Sequence, residues 1–442
     1  MRLTVIGTGY LGATHAACMA ELGHEVVGVD VDAGKVAALA AGRVPFHEPG
    51  LAGMVARHTA SGRLRFTTSY EEAGAFGQVH FVCVGTPQRR DSDAADLTYV
   101  EEAFAGIARQ ARKGALLVGK STVPVGTAVR LADAHDVEIA WNPEFLREGY
   151  AVEDTLRPDR LVFGVRTGRA ERLLRQVYGT VLAAGTPLVV TDFATAELVK
   201  TAANSFLATK ISFINAMAEL CEAAGGDVRQ LSEALGHDDR IGRSFLRAGV
   251  GFGGGCLPKD IRAFAYRAAE LGVDLGFLRA VDAINMRRRD RVIELARQLC
   301  GDGLLGARVA VLGAAFKPDS DDVRDSPALN VAARLGLDGA DVTVYDPEAM
   351  DNARKEYPLL GYAMSVEEAL RGADLVLHLT EWPQFRELDP RRAASLVHRP
   401  RIVDGRGVLD ADRWTAAGWC FRALGSPAPV RPVEPMEEDS RG

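Results

Sequence analysis

With 442 residues, 47% hydrophobic and 25% charged, the chain has the composition of a soluble globular protein that is too long for one ordinary core, which predicts two or three domains. Its 52 basic and 59 acidic residues leave a net charge of −7, which suits neither nucleic acid nor an anionic membrane surface, so any anionic ligand needs a local basic site. Cys18, Cys83, Cys221, Cys256, Cys300 and Cys420 stand apart without CxxC pairs, which argues against a zinc site and a disulfide framework and predicts a reduced compartment.

The first apolar run, Leu3 to Ile6, starts almost at Met1 without a leader-like segment, and no run reaches bilayer length; the expected location is the cytoplasm, with no membrane partner. Gly7-Thr8-Gly9-Tyr10-Leu11-Gly12 then separates this predicted strand from an apolar helical pattern, Leu11 to Leu22. In that context the first glycine allows the tight turn, the second lets a pyrophosphate approach the backbone, and the third lets helix and strand pack closely. Asp30 ends the next predicted strand, Val26 to Val29, where an acid hydrogen-bonds an adenosine ribose and repels a 2′-phosphate. The expected cofactor is therefore NAD, although Lys35 is a base that could accept that phosphate.

Further short runs at Val79 to Val84, Ala115 to Val118, Val137 to Ala140 and Leu161 to Val165 continue a βαβ rhythm, which predicts a parallel sheet covered on both faces. Two segments follow strand ends, where open sheets bind ligands. In Lys120-Ser121-Thr122-Val123-Pro124-Val125-Gly126, Thr122 either contacts the nicotinamide region or caps a helix. In Asn142-Pro143-Glu144-Phe145-Leu146-Arg147-Glu148-Gly149, Glu144 and Glu148 either orient water or ribose or complement a helix dipole.

From Asp192 to Ala224 the rhythm stops, and a stretch without proline or glycine predicts one helix of about thirty residues, about 45 Å long. Lys200 and Asn204 lie four apart on it and share a face. They either hold a developing oxyanion or belong to a solvated polar face. Next comes Gly251-Phe252-Gly253-Gly254-Gly255-Cys256-Leu257-Pro258-Lys259-Asp260, a thiol on a nearly bare backbone beside an ammonium and a carboxylate. A nearby lysine favours the thiolate, so Cys256 reads as a nucleophile; the alternative is a small buried cysteine in a glycine turn.

After more helix-like sequence through Cys300 the βα alternation restarts at Arg308 to Leu312, Asp341 to Tyr345, Asp374 to Leu379 and Arg401 to Asp404. The expected fold is α/β: two doubly wound, Rossmann-like parallel-sheet domains joined by a long central helix and a helical middle domain. Lys317 and Arg324, early in the second fold, either reach phosphates across a cleft or are ordinary solvated bases. The end of the chain, 426–442, is rich in proline and acid and is expected to be disordered. The expected domains are thus 1–191, 192–300 and 301–425, followed by that tail.

These motifs, with Val84-Gly85-Thr86-Pro87, Glu197-Leu198-Val199-Lys200, Ala315-Phe316-Lys317-Pro318 and Asp321-Asp322-Val323-Arg324, occur in one order and closely resemble the UDP-glucose branch of the UDP-glucose/GDP-mannose dehydrogenase family over about residues 1 to 410. The resemblance implies an NAD-dependent, two-step oxidation of the C6 alcohol of UDP-glucose to the carboxylate of UDP-glucuronate, through a thiohemiacetal and a thioester on Cys256. It implies that Lys200 and Asn204 stabilise the C6 oxyanion, that Asp260 shuttles protons, and that Glu144, assisted by Thr122, serves the hydrolytic water. NAD contacts are implied at Gly7, Gly9, Tyr10, Leu11, Gly12, Asp30, Lys35, Thr86, Thr122, Glu148, Lys259 and Arg324. Sugar-nucleotide contacts are implied at Glu144, Phe145, Leu146, Arg147, Glu148, Lys200, Asn204, Phe245, Leu246, Arg247, Ala248, Gly249, Gly253 and Lys317. Arg240 is implied to cross the interface of a homodimer whose core is the long helix, so that 192–300 serves dimerisation and 301–425 binds the nucleotide sugar. No metal is implied. Gly255 stands where the family usually has serine, and Leu257 is a leucine also found in GDP-mannose members, so GDP-mannose and UDP-N-acetylhexosamines are the alternative substrates. A single-step 3-hydroxyacid-type dehydrogenase, which shares the Lys-x-x-x-Asn helix but needs no cysteine, and an NAD-binding scaffold without catalysis are the competing classes.

Overall fold

The computed structural model describes residues 1–301 and 303–427, so the expected disordered tail lies, but for its first two residues, outside the described residues. Short apolar runs form a first sheet: β1 (Arg2–Ile6), β2 (Glu25–Val29), β3 (Leu64–Thr67), β4 (Val79–Val82), β5 (Leu116–Gly119), β6 (Glu138–Trp141), β7 (Leu161–Val165) and β8 (Leu188–Thr191), buried on both faces except at the edge strands β3 and β8. Their order is β3-β2-β1-β4-β5-β6-β7-β8. A second sheet contains β9 (Arg308–Leu312), β10 (Asp341–Tyr345), β11 (Gly361–Tyr362), β12 (Leu375–His378), β13 (Arg401–Asp404) and β14 (Cys420–Ala423), in the order β11-β10-β9-β12-β13-β14. Each sheet thus reverses its winding beside its own first strand, and that reversal opens a ligand crevice at the strand C-termini.

One expectation is corrected. The first sheet is not wholly parallel: β7 pairs antiparallel with β6, and β8 follows β7 in parallel. A parallel return needs a crossover long enough to carry the chain back along the sheet. Between Trp141 and Leu161 the only helix, Ala151–Leu156, has six residues and spans about 9 Å, so the chain re-enters the sheet from the end at which it left. Strands β3, β8, β11 and β14 were not anticipated, being short and, in β8, largely exposed.

Between the sheets lies the helix Phe193–Ala224, whose 32 residues make it about 48 Å long. Asp192 caps its start by accepting from Thr195 N at 2.8 Å, and Gly225, at φ 80°, ends it in the left-handed conformation that glycine adopts without penalty. It packs against β7 and against helices Leu257–Glu270 and Gly276–Cys300. Its approach to β7 depends on Gly164, where a Cβ would come within 2.7 Å of Ala196 Cβ. The first sheet therefore fixes the position of Lys200, one turn further along the helix.

Candidate active site

The turn after β1 has the shape a pyrophosphate needs. Gly7 adopts φ 87°, and a Cβ on Gly12 would lie 1.8 Å from the Gly7 carbonyl oxygen, whereas a Cβ on Gly9 would meet nothing within 4 Å. Tight turn, open approach and close packing thus fall on the first, second and third glycines. Tyr10 and Leu11 open the helix behind the turn. At the end of β2, Asp30 is buried and its Oδ2 accepts from Thr8 N at 2.8 Å, from Thr8 Oγ1 at 3.1 Å and from Lys35 Nζ at 3.0 Å. Burial alone would raise its pKa, but these donors and Asp32 N hold the carboxyl below the usual range. Lys35 is therefore engaged by the acid, which leaves the ribose-binding reading intact. The residues present fit NAD.

Glu48, which the sequence did not single out, ties this turn to the loop after β6: the Tyr10 hydroxyl donates to its Oε2, and Gly149 N donates to the same oxygen at 2.7 Å. Glu-Pro-Gly ahead of a helix was the available signal. Thr86, after β4, donates to the Thr122 carbonyl at 2.8 Å, and a narrow pocket between the first sheet and the thiol-bearing helix is lined by Thr86, Thr122, Lys259 and Asp260.

The glycine-rich loop before Cys256 is bare because it is threaded between two bodies. Asn285 accepts from Phe252 N at 2.7 Å and donates to Phe252 O at 3.0 Å, and a Cβ on Gly251 would come within 2.5 Å of its oxygen. On the other side, a Cβ on Gly253 would lie 2.3 Å from Asp325 O, and one on Gly255 2.2 Å from the Arg324 guanidinium carbon. At Gly255 the bare backbone leaves room for the Arg324 guanidinium. Cys256 then caps the helix Leu257–Glu270.

Around this sulfur the expected charges converge. Lys200 Nζ and Glu144 Oε1 form an ion pair of 2.9 Å, with both side chains nearly buried, and Leu146 N donates to Glu144 Oε2 at 2.6 Å. Asn204 Nδ2 donates to Asp260 Oδ2 at 2.6 Å, while Lys259 Nζ donates to Asp260 Oδ1 at 2.5 Å. Burial opposes charge on both members of the first pair, yet Lys200 holds Glu144 below the carboxylate range, and Glu144, Cys256 and Asp260 hold Lys200 above its ordinary value. Atoms packed around the sulfur and then the Asp260 charge push the Cys256 thiol upward, against the pull of Lys200 and Lys259, while the residue itself stays open to the cavity. A base therefore assists its attack, and Asp260, whose N–H donates to the Cys256 carbonyl at 3.0 Å, stands on the same helical turn.

A cavity of about 550 Å³ runs from this cluster to the second sheet, within the range of small-molecule sites. Phe245, Leu246, Arg247, Ala248, Gly249 and Gly253 line it as expected, with Phe245 in a left-handed conformation (φ 63°) that non-glycine residues seldom adopt. Lys317, also lining it, donates to the Glu148 carbonyl; Ser320 Oγ donates to Glu148 Oε2 at 3.1 Å, and Arg324 lies 3.3 Å from Oε1. Glu148 thus faces the second fold, apart from Glu144. Burial and Asp322 push its carboxyl up to about 7. Phe145, Leu146 and Arg147 line an adjoining chamber of about 460 Å³, with Glu144, Lys200 and Asn204. Arg240 is not brought into the cluster; it is exposed and paired with Asp238 at 2.6 Å. Arg406, which the sequence reading missed, lines the large cavity and donates to Leu379 O at 2.6 Å and Phe316 O at 3.0 Å. Its place two residues after β13, at a strand C-terminus, was the signal.

Comparison with known proteins agrees with this geometry. Residues 1–182 match the NAD binding domain of the UDP-glucose/GDP-mannose dehydrogenase family, residues 194–287 its central domain and residues 310–411 its UDP binding domain. A UDP-glucose 6-dehydrogenase of Rhizobium meliloti is 43% identical over 97% of this chain and 100% of its own length. Among solved structures, a UDP-glucose dehydrogenase from Pyrobaculum islandicum superposes with a TM-score of 0.89 at 41% identity, covering 96% of this chain and 98% of that one. A UDP-D-ManNAc dehydrogenase from Pyrococcus horikoshii superposes with a TM-score of 0.85 at 27% identity, covering 96% and 99%.

Proposed function

The chain belongs to the UDP-glucose/GDP-mannose dehydrogenase family, and from that premise we propose that it oxidises the C6 alcohol of UDP-glucose to the carboxylate of UDP-glucuronate in two NAD-dependent steps. Higher identity to the UDP-glucose dehydrogenase than to the UDP-D-ManNAc dehydrogenase supports this choice of sugar. Gly7 to Gly12 and Asp30 would hold NAD, which would supply the hydride acceptor that each oxidation of C6 needs. The chain's own groups do the rest. Asp260 takes the proton of the C6 hydroxyl, while Lys200 and Asn204 donate to the oxygen as it gains charge. After Asp260 has passed that proton to solvent, it takes the proton of Cys256 as the sulfur bonds to the aldehyde carbon and returns it to the oxygen, giving a thiohemiacetal; loss of the second hydride, with the hydroxyl proton going back to Asp260, leaves a thioester. Water, deprotonated by Glu144, adds to that carbon as the C–S bond breaks and its electron pair returns to sulfur. Covalent capture divides a hard oxidation into easier steps.

The observation that carries this reading is the convergence of Lys200, Glu144, Asn204 and Asp260, from three separate segments, on the one cysteine at a helix start. The test counts NADH per sugar and follows Cys256 by mass spectrometry. The unmodified enzyme is expected to give two NADH per UDP-glucose, and Asp260→Asn to lose about 10²–10⁴-fold in turnover. A Cys256→Ser enzyme that still turns over fully, with two NADH per sugar, would exclude the covalent route. GDP-mannose and a UDP-N-acetylhexosamine, run beside UDP-glucose, test the sugar.

We further propose a homodimer built on the long helix. Phe206, Phe213 and Leu220 recur every seventh residue and are 66%, 48% and 59% exposed, an apolar stripe that a second copy would bury.

A further inference from the structure

Behind Glu144 the adjoining chamber holds a second lysine that the proposed reaction does not use. Lys120 directly follows β5, and Asn142 directly follows β6, where Gly119 and Trp141 are register partners. The two side chains therefore stand together, with Glu144 two residues further on. Lys120 is 6% exposed. Its Nζ donates to Asn142 Oδ1 at 3.0 Å and to the Tyr178 hydroxyl at 3.4 Å, and Tyr178 donates to the same Asn142 oxygen at 2.7 Å. Both partners are neutral, and two of the three ammonium protons are used. A buried cation with no carboxylate in its own hydrogen bonds is costly to keep. Its third donor is left for the chamber, whose lining it shares with Glu144, Lys200 and Asn204. His15 lines the same chamber, 1% exposed, with Nε2 lacking any partner among the described residues. The part of the wall formed by Lys120, Asn142, Tyr178 and His15 is thus buried and keeps polar groups without protein partners, suited to water and to a carboxylate. Burial lowers the Lys120 pKa, with the Glu144 charge opposing that and the Lys200 charge adding to it.

Glu144 feels the charge of both lysines but is paired with Lys200 alone. In the ion pair described above, Lys200 is bound to Glu144, yet in the proposed reaction Lys200 must donate to the C6 oxygen. We infer that Lys120 is a positioning residue for thioester hydrolysis, holding the Glu144 carboxylate toward the attacking water while Lys200 serves the substrate oxygen. The inference rests on the covalent reading above. In that step the water oxygen bonds to C6, its proton passes to Glu144, and the C–S bond breaks with its electron pair returning to Cys256. No further oxidant is needed.

The experiment uses the full chain with UDP-glucose and NAD, rapid quenching, and mass spectrometry of the Cys256 peptide. Lys120→Met is expected to release two NADH per site in the first turnover at nearly the normal rate, then to slow about 100-fold while acyl adduct builds on Cys256. Lys120→Arg, which keeps the charge, is expected to restore part of the steady-state rate and clear the adduct. Tyr178→Phe, which loosens the ammonium without removing it, covers the case in which Lys120→Met does not fold, and is expected to accumulate adduct to a smaller degree. A folded variant of either kind that slows first turnover and steady state equally without adduct, or does not slow at all, overturns the role of Lys120. Failure of the covalent reading is distinct: full turnover by Cys256→Ser overturns both.

Discussion

Two glycines three residues apart, Gly9 and Gly12, show how much one Cβ decides. At Gly12 it would sit 1.8 Å from a backbone oxygen that cannot move without opening the turn; at Gly9 it would meet no protein atom within 4 Å. Gly12→Ala is therefore expected to destabilise the first nucleotide fold by about 3 kcal/mol or more, the upper end for overpacking. Gly9→Ala is expected to leave unliganded stability within about 0.5 kcal/mol of the parent, since it touches nothing, yet to lose the upward shift in melting temperature that saturating NAD produces. Thermal melts with and without NAD separate the two, and a Gly9→Ala protein still stabilised by NAD would show that the pyrophosphate lies elsewhere. Both roles were legible because the fingerprint carries its reasons in local backbone geometry. The full set of charges around Cys256 was not. Lys259 and Asp260 stand beside it in sequence, whereas Lys200 and Glu144 act on the sulfur only after three segments have come together.

Among the elements, the loop Asn142–Gly149 joins the two halves most directly, because one of its acids serves Lys200 and the other is gripped by Ser320 and Arg324 of the second fold. Glu148 gives this contact a pH dependence with a definite sign. Its folded pKa of about 7 lies above the ordinary 4.5. Between those values the folded chain holds a proton that the unfolded chain has released, so stability falls as pH rises through this window. The gap corresponds to at most about 3 kcal/mol. Glu148→Gln, unable to ionise, should lose this component: its stability relative to the parent is expected to rise from pH 5 to pH 8, measured by denaturant unfolding at each pH. Parallel stability curves for the two proteins would sink the assignment. That the two glutamates of this loop part company could not be read from spacing alone, because both lie on a strand-end loop and only the position of the second fold distinguishes them. The reversal at β7 was hidden for a related reason: an apolar run shows that a strand exists, while its direction depends on how far the preceding connection can travel.

At the scale of the whole molecule the proposed dimer gives the most demanding prediction, since it joins an apolar surface to the proposed role of Arg240. Seven residues fall about 20° short of two full turns, so Phe206, Phe213 and Leu220 drift only slowly around the long helix and form one continuous stripe. A charge in its middle, Phe213→Asp, is expected to convert the dimer to monomer in sedimentation velocity while leaving the rest of the helix, which is buried on another face, folded. Arg240, held outward by Asp238 in a surface pair of the kind that costs little to break, would then be the residue one protomer lends to the other. If so, Arg240→Ala and Lys200→Ala homodimers should each be nearly inactive, yet mixed dimers of the two should regain activity at one of their two sites, the site that combines an intact Lys200 with the partner subunit's Arg240. Mixing must first pass through monomers, so the recovery should appear only after dissociation and reassociation, and Phe213→Asp should abolish it. Activity that did not recover in verified mixed dimers would confine Arg240 to its own protomer; a Phe213→Asp monomer with full turnover would show that each chain completes its own site.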